Sequence, residues 1–69
     1  MEKNLDYYLG LPYTIELIQE PQGGYFVDVK ELTGCMTIAE SSEKALAEIQ
    51  VLKREWLEIA LEERIPIPE

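Results

Sequence analysis

The sequence predicts an α+β domain: a three-stranded antiparallel sheet, in the order β-β-β-α, with one long helix packed on one face. Three observations predict it. Residues 11–20 and 25–30 alternate apolar and polar side chains, the period of a half-buried antiparallel strand. Pro21-Gln22-Gly23-Gly24 lies between them and reads as a hairpin turn. From Ala45 onward, apolar residues recur at helical rather than strand spacing.

The 69 residues make a single domain, 1–69, with an N-terminal arm (1–10), a sheet region (11–39), a helix (41–63) and an extended tail (64–69). In the arm, Leu5, Tyr8 and Leu9 share helical spacing, Gly10 is a helix stop and Pro12 lies just beyond. A short N-terminal helix is expected there if Tyr8 and Leu9 find something to pack on. Tyr7 and Tyr8, if exposed, are candidate interface anchors, because aromatic residues are enriched at interfaces.

Residues 11–20 are the first strand candidate, with Tyr13, Ile15 and Leu17 on the core face and Thr14, Glu16 and Ile18 on the other. Tyr25, Val27 and Val29 of the second strand should meet that core face. This leaves Phe26 and Asp28 on the opposite face, where an aromatic side chain calls for a cover. Leu32 and Cys35 bracket a bend at Thr33-Gly34, and Met36 to Ala39 forms a short third strand with Met36 and Ile38 on one face.

Ser41 is placed to cap the helix N-terminus, with Glu43 in the first turn. At 100° per residue, Ala45, Ile49, Leu52, Trp56, Ile59 and Ala60 form the stripe expected to lie on the sheet. Leu46 and Leu57 widen it, Leu61 continues it, and Val51 lies on the far side. The flank with Leu57 and Leu61 is a second candidate contact surface. In Ile65-Pro66-Ile67-Pro68-Glu69 the prolines leave backbone donors along one edge only, which allows a C-terminal edge strand or a loose tail.

Composition narrows the chemistry. Fourteen Asp and Glu against six Lys and Arg give a net charge of −8. Nucleic-acid binding rests on cations that neutralise phosphates, so direct binding of DNA or RNA is not expected, and a basic protein partner is. With no histidine and one cysteine, Ser–His and Cys–His catalysis and an intrachain disulfide are excluded, and a zinc site is disfavoured. A lone thiol fits a cytoplasmic protein. No catalytic, metal or cofactor site is expected. No apolar run is long enough to span a membrane. A chain of this size buries only ~60% of its unfolded surface, so self-association is an expected further source of stability.

The order and spacing of Leu11-Pro12-Tyr13, Gly23-Gly24-Tyr25-Phe26, Glu31-Leu32-Thr33-Gly34-Cys35, Ala39-Glu40-Ser41, Glu43-Lys44-Ala45-Leu46, Trp56-Leu57 and Pro66-Ile67-Pro68 resemble the HicB-like antitoxin family. The resemblance covers nearly all of the chain from Leu11. It implies a partial RNase H-like fold and a binding module, not an enzyme. The implied partner is a small basic RNA-cleaving toxin of the HicA type. Many members also carry a DNA-binding segment of helix-turn-helix or ribbon-helix-helix type. These 69 residues contain none, so operator binding is not expected.

The partner-binding candidates are therefore Tyr7, Tyr8, Thr14, Glu16, Phe26, Asp28, Leu57 and Leu61. Two further readings stand beside this one. A metal-dependent nuclease would use Asp28 and Glu16 across the hairpin, with Glu31 or Glu40 nearby. A stand-alone oligomeric scaffold would need neither toxin nor metal.

Overall fold

The elements run α1 (Leu5–Leu9), β1 (Ile15–Gln19), β2 (Tyr25–Val29), β3 (Met36–Ala39) and α2 (Ser42–Glu63). The computed structural model describes residues 3–69, and Met1 and Glu2 of the expected arm lie outside the described residues. The three strands form one antiparallel sheet in the order β1-β2-β3.

The short helix α1 forms as expected and for the expected reason. Five residues are too few to hold a helix alone. Asn4 caps it by accepting from Tyr7 N–H at 3.0 Å, and Tyr8 is buried in the common core.

In the hairpin, Ile15 pairs with Val29, Leu17 with Val27 and Gln19 with Tyr25, which puts these six side chains on the helix side. Directly opposed residues share a face, so Glu16, Ile18, Phe26 and Asp28 point away from the helix. Gly24 has φ +86°, and a Cβ there would sit 3.2 Å from Ala39 O, so the turn and the end of β3 close tightly only around glycine.

The first strand is shorter than residues 11–20. Upstream of Ile15 the chain turns, with Tyr13 N–H donating to Leu11 O at 2.9 Å. Leu17, expected in the core, is partly exposed. α2 packs chiefly on β2 and β3, and β1 lies at the margin of that cover.

Ser41 caps α2 as expected, its hydroxyl accepting from Lys44 N–H at 3.1 Å. The buried stripe is rotated slightly from expectation. Ala45, Ile49, Lys53, Leu57 and Ala60 are buried, Leu52 and Trp56 are half-buried, and Ile59 is 56% exposed. Spacing of four residues therefore sets the stripe through Leu57, and Ile59 falls outside it. Lys53 joins because its aliphatic stem can cover apolar surface while its ammonium group reaches outward. Helix α2 ends at Arg64, which takes the left-handed conformation (φ 58°, ψ 38°), and Ile65 N–H then closes on Ala60 O at 2.8 Å.

No C-terminal edge strand forms. The tail is held by side chains instead. Tyr13 O–H donates to Pro68 O at 2.7 Å, Tyr7 O–H to Glu69 Oε1 at 2.6 Å, and Lys3 Nζ to Glu69 Oε2 at 2.8 Å. Ile67 packs half-buried against the core. Among the described residues, no helix is long and apolar enough to cross a membrane.

Candidate protein-binding face

Strand register assembles one exposed face from three separate stretches. On the side of the sheet away from α2, Ile18, Phe26 and Ile38 form one cross-strand row. Glu16, Asp28 and Met36 form the next. Phe26 sits in the central strand and is half-buried by its neighbours, while Ile18 is 45%, Met36 48% and Ile38 66% exposed. An exposed apolar row beside two acids has the make-up of a protein interface, an apolar centre with a charged margin.

The acidic row has unusual electrostatics. Glu16 and Asp28 are directly opposed, an arrangement that is unfavourable for like charges. Lys30 relieves it by pairing with Glu16 Oε1 at 2.9 Å, and the hydrogen bond to Glu16 pushes the Lys30 pKa up. Asp28 feels the Lys30 charge but makes no ion pair among the described residues. Its Oδ1 is buried with no hydrogen-bond partner among the described residues. An unpaired buried acceptor is costly, so a donor supplied from outside is favoured at this position.

The other carboxylates of the nuclease reading are elsewhere. Glu31 turns to accept Thr14 N–H at 2.8 Å, and that backbone bond holds its carboxyl below the usual range. Glu40 is exposed beside Lys44, at 3.6 Å. Among the described residues, no group of three or more His, Cys, Asp or Glu could hold a metal ion. Cys35 is buried, and burial pushes its thiol pKa up, so it behaves as a small apolar side chain.

Thr14 precedes β1 opposite Lys30, whose N–H donates to Thr14 O at 2.9 Å, and so continues this face beyond Glu16. The other sequence candidates separate from it. Tyr8 and Leu57 are core residues, buried within the chain itself, and offer no contact surface. Tyr7 is half-buried in the clamp on Glu69, and Leu61 is half-buried against the core.

The sequence candidates omitted Ile18, Met36 and Ile38. The available signal was the pair of rows itself. Once Phe26 is placed outward, the antiparallel register carries Ile18 and Ile38 to either side of it.

The chain is 33% identical over 48 residues to UPF0150 protein ssl0259 of Synechocystis sp.. The matched stretch is 70% of this chain and 66% of that protein, so the chain spans just under two thirds of its relative's length. No family model matches the chain, and no solved structure matches it.

Proposed function

We propose that this chain is a HicB-like antitoxin module of partial RNase H-like fold, acting in the cytoplasm. It neutralises a small basic HicA-type toxin by binding it, and it catalyses no reaction itself. The observation that carries this reading is the outward sheet face, where Ile18, Phe26, Met36 and Ile38 stand exposed or half-exposed beside the unpaired Asp28 carboxylate. The acid excess of the whole chain supports the same partner chemistry, because a field of one sign speeds encounter with the other. The ordered segments from Leu11 to Pro68 that resemble the family support it independently.

In this reading an apolar patch of the toxin covers the Ile18–Phe26–Ile38 row. An arginine or lysine from its RNA-binding surface then reaches Asp28. Such a cation satisfies the orphan oxygen and is lost to RNA.

The test is co-purification and calorimetry with a small basic HicA-type protein encoded beside this chain. A complex is expected whose formation slows as salt rises. Ile18→Asp should weaken it by at least about tenfold, and Asp28→Asn should weaken it without unfolding the chain. Failure of the wild-type protein to bind any such neighbour would refute the proposal. So would cleavage of labelled RNA by the pure chain with Mn²⁺ that Asp28→Asn abolishes.

A further inference from the structure

We infer that the free edge of β3 pairs antiparallel with β3 of a second copy of this chain, joining two three-stranded sheets into one of six strands. This inference does not depend on the toxin reading.

The argument starts from which backbone groups β3 leaves open. Val29 N–H donates to Cys35 O at 3.0 Å, and Val29 is the residue opposite Cys35. In an antiparallel ladder, bonded and non-bonded pairs alternate. Cys35, Thr37 and Ala39 therefore turn their backbone groups to β2, and Met36 and Ile38 turn theirs outward. No strand pairs with that side among the described residues.

This edge lacks the usual protection. Natural edges are blunted by lysine, proline, bulges or a covering segment. Here both open residues are apolar and well exposed, Met36 and Ile38. The helix above the edge is apolar too. Gly34, Met36, Leu52, Glu55, Trp56 and Ile59 line a groove of about 210 Å³ between α2 and the start of β3. A strand added to β3 would have its helix-side face covered by exposed Ile59 and half-buried Leu52 and Trp56. The β1 edge offers no such roof, because α2 sits over β2 and β3.

A second copy fits this edge because the edge is self-complementary. With Thr37 opposite the partner's Thr37, Met36 exchanges both backbone bonds with the partner's Ile38, and Ile38 does the same with the partner's Met36. Registers centred on Met36 or Ile38 match fewer open groups. The chain as a whole also exposes more surface than a compact monomer needs. The chain exposes 4977 Å², about 500 Å² more than the ~4450 Å² typical of a compact monomer of 8.0 kDa. Standard interfaces cover roughly 800 Å² per partner. Charge acts against pairing, since Glu48 and Glu55 flank the edge on a chain of net charge −8. Pairing should therefore strengthen with salt, the opposite of toxin binding.

Multi-angle light scattering of the full chain, from low micromolar to several hundred micromolar and in low and about 0.5 M salt, tests the inference. A concentration-dependent dimer favoured by salt is expected. Ile38→Pro removes a donor that bonds nothing within the chain, so it should abolish the dimer while the circular dichroism stays native. Gln19→Pro removes an equally free donor on the β1 edge and should leave the dimer intact. Thr37→Cys should give a disulfide-linked dimer under mild oxidation, which requires no proline to be tolerated. A monomer at all concentrations in high salt would overturn the inference. So would an Ile38→Pro protein that dimerises as the wild type does, or a Thr37→Cys protein that stays uncrosslinked. Each arm uses this chain alone, so its failure is distinct from failure to bind a toxin.

Discussion

Replacing Leu57 and Ile59 one at a time by alanine separates two phases of the same helix. Leu57 is fully buried and Ile59 is 56% exposed, although they are two residues apart. Truncating a buried leucine removes its transfer free energy and leaves a cavity, a loss of about 2–5 kcal/mol. For a 69-residue chain the whole folding free energy is about 3.5–10 kcal/mol. Leu57→Ala should therefore use up a large share of it, and at low stability the chain should be partly unfolded at 25 °C. Truncating exposed Ile59 should change stability by no more than about 0.5 kcal/mol, with a small gain from the better helix propensity of alanine. With a urea slope of about 1 kcal/mol/M for so small a protein, the two midpoints should differ by about 2–5 M. Urea titration followed by circular dichroism, at protein concentrations low enough to keep the chain monomeric, measures this directly. Equal losses from the two variants, or a larger loss from Ile59→Ala, would refute the rotated stripe and the packing built on it.

Arg64→Gly should stabilise the chain. A left-handed residue with a side chain costs about 1–2 kcal/mol, and the entropy of glycine returns part of that. The net gain, up to about 1 kcal/mol, should raise the melting temperature by a few degrees, and a fall would show that Arg64 does more than end the helix. The tail clamp should depend on pH at both ends. The hydrogen bonds from Lys3 and then Tyr7 lower the Glu69 pKa, so its contribution is complete above the ordinary carboxylate value of 4.5 and is lost as pH falls through the lowered value. The pKa values of Lys3 and Tyr7 are raised, each chiefly by its bond to Glu69, so their protons are held through neutral pH and their contribution is lost only as pH rises through those raised values. Amide resonances of Ile67 and Tyr7 should shift together on acidification, and Glu69→Gln should remove that step. A tail insensitive to pH would show that Ile67 packing alone holds it.

Much of this architecture was legible because its signals were local. Gly23-Gly24 and the alternation on either side specify the hairpin, and one register then places Phe26 and Asp28 outward. Ser41 announces the start of α2. The phase of the helix was not legible, since a stripe through Ile59 and one through Leu57 differ by a small rotation. Only packing against Val27 and Val29 chooses between them, and it does so by accepting a lysine, Lys53, that a hydrophobicity pattern discards. The tail was ambiguous for a related reason. Its prolines remove backbone donors, and its position is instead determined by Lys3, Tyr7 and Tyr13, which lie more than fifty residues away in the chain. The candidate face was half legible. Its members on β1 and β2 follow from a single turn, whereas Met36 and Ile38 join it only through the second pairing.

The indole of Trp56 donates to Thr33 O at 2.9 Å and lines the groove beside β3. It is the only tryptophan in the chain. Its emission is therefore a built-in optical label for one surface alone. Occupancy of the β3 edge should dry the ring, shift its fluorescence to the blue and shield it from iodide. A partner on the far side of the sheet should leave both the colour and the quenching unchanged. A single spectrum thus distinguishes the two surfaces without any added dye.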